Sequence, residues 1–253
     1  HITAAITQDL APSNVAKDDA VNHTFVVGAS GEKIAFQWEK KAVNPADSSY
    51  LPVYNQTAVT YNIASISIGD VGTYRLKIMD QYGPTIYSSA QTLRIQPTIK
   101  VQPVAEQTVA FNGTATFTVA ASGESLSYQW YGPAGILAGA TSASYTRTIN
   151  NVAHAGNYYV ILTSPVGTGV SGVRSANSLL KISPTITTSP GPQIVAYGGP
   201  ATFSADASGE GLSYAWTKVG SSTVLSSGKT LVRSNVQVAD AGTYTVTVTG
   251  TYG

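Results

Sequence analysis

Ser127-Tyr128-Gln129-Trp130, followed by the corner His154-Ala155-Gly156-Asn157-Tyr158, is one of three statements of a single pattern in this chain. In each, Ser-Gly-Glu stands six residues ahead of a tryptophan, giving Trp38, Trp130 and Trp216. A Gly-x-Tyr corner then follows in Asp70-Val71-Gly72-Thr73-Tyr74, in the His154 stretch, and in Asp240-Ala241-Gly242-Thr243-Tyr244. The tryptophans lie 92 residues apart (130 minus 38) and then 86 apart (216 minus 130). That period is too long for a solenoid repeat and matches a small β-sandwich of roughly 100 residues, so each copy is expected to be a domain with its own core. The boundaries are expected at 1–96, 97–183 and 184–253.

Alternating apolar and β-branched residues, as in Thr114-Ala115-Thr116-Phe117-Thr118-Val119 and Tyr244-Thr245-Val246-Thr247-Val248, predict an all-β fold. Asn112-Gly113 and Gly198-Gly199 mark tight turns between strands. The joints Ile95-Gln96-Pro97-Thr98-Ile99 and Ile182-Ser183-Pro184-Thr185-Ile186 leave a single proline between successive strands. Proline restricts its own φ and the residue before it, which predicts an elongated, semi-rigid rod on the order of 100 Å at about 3.3 Å rise per strand residue. The first copy runs past Gly83 into Ser89–Ile95 and the second past Gly167 into Ser178–Ile182, whereas the third reaches Gly253 at the equivalent point. The third sandwich is therefore expected to lack its last strand in this sequence, because the chain continues in a longer protein or because a partner donates the strand.

Charged residues are only 11 % of the chain, and net charge is +1. Basic and acidic residues number 7 and 8 over residues 1–96, 4 and 2 over 97–183, and 3 and 3 over 184–253. No stretch offers the basic stripe that phosphate neutralisation requires, which argues against nucleic acid as a partner. The absence of cysteine removes thiol catalysis, thiolate metal sites and disulfides together. No segment has the apolar length of a membrane span, and His1 in place of methionine gives the lack of a signal peptide little weight.

Candidate sites are few. Asp70 and Asp240 open the corner, but His154 replaces the acid in the second copy, so they read as turn-capping groups rather than metal ligands. Glu32, Glu124 and Glu210 recur singly, without the second acid that general acid/base work needs, and read as solvated loop charges. Neither His23 nor His154 belongs to a nucleophile or metal motif. The expectation is no enzyme activity, no cofactor and no metal. Sequons at Asn22, Asn55 and Asn112 arise readily in a Thr-rich chain.

Tyrosine is the more informative residue, with 15 against 5 phenylalanines. The first copy also has eight extra residues between tryptophan and corner, 36 against 28, and these fall in the turn-rich stretch 40–56. Tyr50 and Tyr54 lie there beside Lys40 and Lys41, while Tyr82 lies at the turn after the corner strand. Loops at the ends of sandwiches commonly carry binding sites, and tyrosine gives a large contact area at low entropy cost, so these five residues are the candidate surface contacts.

The Ser-Tyr-x-Trp stretches at 127–130 and 213–216, with the Gly-x-Tyr corner, resemble the immunoglobulin superfamily, above all its cysteine-free bacterial and phage members. Where the superfamily places its inter-sheet disulfide, this chain has Val27 with Leu76, Val119 with Val160, and Ala205 with Val246. Three such domains in a row also resemble the highly immunogenic outer capsid protein family of T-even-type bacteriophages. That resemblance implies a monomeric fibre on the virion surface, fixed to the capsid through a C-terminal part absent from these residues. It also implies weak attachment to bacterial surface molecules, glycans among them. A bacterial cell-surface adhesin or stalk, and the accessory domains of a secreted glycoside hydrolase, are the rival readings.

Overall fold

The computed structural model describes residues 1–12, 14–42, 49–166 and 172–252. They form short strands and three single-turn 3-10 helices, and the strands pair in the same way three times. An entry strand pairs antiparallel with a short return strand: Ala5–Gln8 with Gly28–Ser30, Thr98–Val101 with Ala120–Ser122, and Thr185–Thr188 with Asp206–Ser208. Each of these pairs slips register at the same place. A second antiparallel pair joins His23–Val26 to Thr60–Ile63, Thr114–Thr118 to Ser144–Thr148, and Pro200–Ser204 to Thr230–Ser234. In the opposing sheet the tryptophan strand meets the tyrosine strand: Ile34–Lys41 with Gly72–Asp80, Ser127–Gly132 with Gly156–Thr163, and Ser213–Lys218 with Tyr244–Thr249. In the first two copies a last strand then pairs antiparallel with the tyrosine strand and parallel with a short early strand. These are Gln91–Ile95 with Asn14–Lys17, and Ser178–Ser183 with Glu106–Ala110. The all-β sandwich expectation is met.

The described residues group into two compact units. The first comprises 1–101, 120–128 and 161–174, and its core is the first copy's: Phe25, Val27, Trp38, Tyr74, Leu76, Ile78, Leu93 and Ile95 are all almost fully buried. The second comprises 102–119, 129–160 and the residues from 175 onward. It buries Phe117, Trp130, Tyr158, Val160, Leu180 and Ile182, and a smaller cluster of Ala205, Trp216 and Leu231. Of the aliphatic pairs Val27 with Leu76, Val119 with Val160 and Ala205 with Val246, all are buried except Val246, which is half-buried.

Burial of an indole requires a partner for its N–H. Each tryptophan solves this alike: Nε1 donates to the carbonyl of Ala58 at 2.8 Å, Ser142 at 2.9 Å and Gly228 at 3.0 Å. Each corner tyrosine likewise returns its hydroxyl to the backbone four residues upstream, Tyr74 to Asp70 at 2.5 Å, Tyr158 to His154 at 2.8 Å and Tyr244 to Asp240 at 2.7 Å. The acids of the corner cap the 3-10 turn, as Asp70 and Asp240 accept the Ser67 and Gln237 N–H groups, each at 2.9 Å.

For Glu124 and Glu210 the reading as solvated charges needs correction. Glu124 accepts the Ile95 N–H at 2.7 Å and pairs with Arg94 at 3.3 Å, with its side chain only 12 % exposed. Glu210 accepts the Ile182 N–H at 3.1 Å. The Ser-Gly-Glu motif is therefore a joint device, in which the carboxylate satisfies a backbone donor at the end of the preceding last strand. Its glycine belongs to the same device: Gly123 and Gly209 have φ of +144° and +151°, and a Cβ there would meet the Cα of Pro97 or Pro184 at 3.0 or 2.8 Å. The Glu32 side chain stays 54 % exposed near His1. Sequence spacing alone could not reveal this, because the partner lies some 30 residues upstream in the chain.

Candidate functional site

The five candidate contact residues belong to the first copy, and the structure separates them. Strand Ile34–Lys41 runs antiparallel to Gly72–Asp80, so Ile34 faces Asp80 and Lys41 faces Thr73. Lys40, Lys41, Tyr50 and Tyr54 belong to one end of this strand pair, whereas Tyr82 follows Asp80 at the other. Pro45 and Ser48, which helped mark the long loop, lie outside the described residues, as does Gly167.

Lys40 turns toward the corner rather than toward solvent. Its Nζ donates to the Gly69 carbonyl at 2.5 Å and lies 5.6 Å from the Tyr74 ring centroid, and burial lowers its pKa. Lys218, two residues after Trp216, makes the matching bond to Ala239 at 2.7 Å. Gly132 takes that position in the second copy. The lysine thus closes the 3-10 turn of the corner in two copies of three.

Tyr50 is one layer of a stack that sequence reasoning missed. The Arg75 guanidinium carbon lies 3.8 Å from the Tyr50 ring centroid and 4.1 Å from that of Tyr87, and Lys41 Nζ lies 5.5 Å from the Tyr50 ring. Arg75 also pairs with Glu39 at 2.8 Å, its direct cross-strand neighbour. Glu39 is 8 % exposed, and a buried carboxylate is tolerated only when paired. A flat guanidinium between two rings gains cation–π attraction while keeping its edge N–H groups for the carboxylate. The signal available in the sequence was the pair of charges at Trp38 plus one and Tyr74 plus one, which share a face once the tryptophan strand is registered on the tyrosine strand.

Beside this stack the short edge strand Leu51–Pro52 pairs with Glu39 and Lys40. Leu51 is 63 % exposed, and Tyr54, at the following turn, is 85 % exposed. Proline on an outer strand costs no ladder hydrogen bond and blocks edge pairing. The result is a rigid platform, Tyr50 on Arg75 on Tyr87, next to two large apolar side chains left in water.

Tyr82 forms a separate group. Its hydroxyl accepts from Lys33 Nζ at 2.8 Å, and its ring meets His1 edge-on at 5.0 Å between centroids. Asp80 holds this turn by accepting the N–H groups of Tyr82 and Ala4, and these bonds keep its carboxyl below the usual range.

Among the described residues no group of three or more His, Asp or Glu side chains is placed to hold a metal ion, and no helix is long and apolar enough to cross a membrane.

These features define an all-β chain of paired, sandwich-like sheets. Residues 183–249 match the immunoglobulin domain family. Among solved structures, the chain is similar to the titin I-band fragment I67–I69 at 16 % identity and a TM-score of 0.46, covering 98 % of this chain and 94 % of that one. It is also similar to the insect immune protein hemolin at 12 % identity and 0.49, covering 99 % and 73 %, and to extracellular domains 3–5 of Drosophila OTK at 18 % and 0.39, covering 99 % and 93 %. No curated protein matches the chain.

Proposed function

We propose that the chain is a non-enzymatic, surface-displayed array of three immunoglobulin-like domains, 1–96, 97–183 and 184–253, which holds partner molecules weakly through the first domain. The observation that carries this reading is the exposure of Tyr54 and Leu51 beside the ordered Tyr50–Arg75–Tyr87 stack. Large apolar side chains in water beside a rigid aromatic platform suit contact with a protein or glycan surface. Lys41, whose Nζ lies 5.5 Å from the Tyr50 ring, would add a cation to this contact, whereas Tyr82 at the other end of the strand pair would not share it.

In its finer form the reading places the array on a phage capsid, projecting toward bacterial surface molecules, glycans included. Support comes from the cysteine-free repeat and from the resemblance to capsid-decorating fibres. The test is a sedimentation assay of purified chain with bacterial cells and with isolated cell-surface glycans. Retention that falls several-fold in a Tyr54→Ser, Leu51→Ser variant with unchanged melting supports the contact surface. Equal retention of variant and native chain overturns it.

A further inference from the structure

Along the first copy's tryptophan and tyrosine strands, the outer face sets three cations against one carboxylate. Trp38, Tyr74, Leu76 and Ile78 point into the core, so strand alternation turns Glu39, Lys41, Arg75 and Lys77 to the opposite face. Lys41 lies over the Tyr50 ring, Arg75 lies between Tyr50 and Tyr87, and Lys77 is the direct cross-strand neighbour of Tyr87. The order along the strands is therefore cation, ring, cation, ring, cation. Glu39 is engaged by the middle cation, Arg75, at 2.8 Å. Among the described residues neither Lys41 nor Lys77 has a carboxylate within ion-pair distance.

The fold itself does not ask for these lysines. Three residues beyond the tryptophan stand Lys41 in the first copy, Pro133 in the second and Val219 in the third. Three beyond the corner tyrosine stand Lys77, Ile161 and Thr247. The places of Glu39 and Arg75 are likewise uncharged elsewhere: Tyr131 and Tyr159 stack there with 4.9 Å between centroids, and the hydroxyls of Thr217 and Thr245 lie 3.1 Å apart. Two copies build these four positions without charge, so the unmatched ammonium groups of the first are no structural requirement.

Lys41 sits opposite Thr73, and Lys77 lies four residues further along that strand, so at about 3.3 Å per residue the two lysines are rooted roughly 13 Å apart. One small anion cannot reach both. An extended ligand with acid groups repeated along its length can, and its apolar parts would cross Tyr87, 43 % exposed, with Tyr54 and Leu51 at the edge. Pyranose rings turn C–H groups toward the negative faces of aromatic rings, and a uronate adds one carboxylate per ring. We propose that this face binds an acidic polysaccharide, with uronate carboxylates on Lys41 and Lys77 and pyranose faces over the tyrosines between them. The inference rests on the contact surface proposed above and specifies its partner. Exposed ion pairs contribute little singly and are screened by salt, so binding should be weak and salt-dependent.

The test titrates the full chain with three end-labelled fluorescent probes: hexagalacturonate, its uncharged methyl ester, and hexaglutamate. Saturable binding of the free acid is expected, weakened several-fold as salt rises from about 0.02 M to about 0.2 M. The ester and the peptide should bind roughly tenfold more weakly. A Lys41→Gln, Lys77→Gln chain should bind the acid no better than the native chain binds the ester, with unchanged melting. A Lys41→Arg, Lys77→Arg chain, which keeps both charges, should bind it like the native chain. Equal binding of acid and ester, lost in the Tyr54→Ser, Leu51→Ser variant, would overturn the acidic class while leaving the contact surface standing. No binding of any probe would overturn the proposal, and the cell-sedimentation assay would still judge the surface separately. Acid binding that ignores the glutamine variant, or hexaglutamate binding as tight as the saccharide, would also overturn it, the last in favour of an acidic protein partner.

Discussion

Nε2 of His154 lies 2.6 Å from Nη2 of Arg147, in the place where the third copy sets Asp240 against Arg233. The imidazole can accept from the guanidinium only while neutral, and its Nδ1 is buried without a hydrogen-bond partner. Burial first, and the Arg147 charge second, hold its pKa below the ordinary histidine value. Asp240, with the Gln237 N–H and Arg233 as donors, is held below the usual carboxylate range. Replacing His154 by Asp should therefore import the third copy's ion pair and cap together, gaining about 0.5–1 kcal/mol for a partly exposed pair. Slower amide exchange at Tyr158 and Val160 at neutral pH would show it, and faster exchange would refute it.

Acid should weaken the first copy through His23. Its ring lies edge-on to Phe25 at 4.5 Å, and burial lowers its pKa, so the folded state favours the neutral form. The unfolded chain then binds more protons below about pH 6.5, and stability falls as pH drops through that value toward the folded pKa. The loss should stay under about 1 kcal/mol because the ring is only half-buried. A His23→Gln variant should show a smaller difference in melting between pH 7.5 and pH 5. An unchanged difference would place the acid sensitivity elsewhere.

Removing the joint carboxylate should distinguish Glu124 from Glu32. Glu124→Ala leaves the Ile95 N–H and Arg94 without their acceptor and should cost about 1–3 kcal/mol. Glu32→Ala, at an exposed side chain, should stay within about 0.5 kcal/mol. Urea unfolding followed by Trp38 fluorescence measures both, and equal effects would deny the joint role.

Trp130→Ala deletes a fully buried ring that packs on Phe117, at 6.1 Å between centroids, and bonds Ser142. A cost of about 3–5 kcal/mol is expected from the lost burial and the cavity. Calorimetry should show the corresponding transition shifted down or lost, whereas unchanged melting would remove this tryptophan from the core.

Tyr50 and Tyr54 should separate in stability although both lie in one loop. Tyr50→Ala unstacks Arg75 and should cost about 1 kcal/mol, while Tyr54→Ser should change stability by less than about 0.5 kcal/mol. Chemical denaturation of the two variants measures the difference, and a large loss for Tyr54→Ser would make that side chain structural.

Sequence by itself determined the three-fold repeat, the all-β class, the aliphatic replacement of the disulfide and the capping role of Asp70 and Asp240. These rest on local periodicity and on the fixed spacing between each tryptophan and its Gly-x-Tyr corner. Tertiary structure alone decided the rest. Glu124 and Glu210 looked like solvated charges because their acceptor role depends on backbone donors 29 and 28 residues away in the chain. Tyr82 parted from Tyr50 because strand register, rather than loop composition, assigns a turn to one end of a sandwich. Arg75 joined Tyr50, Tyr87 and Glu39 because a cross-strand pair becomes adjacent only after two segments 36 residues apart are aligned. Each of these contacts is long-range, and a pattern read along one strand holds no information about which strand will lie beside it.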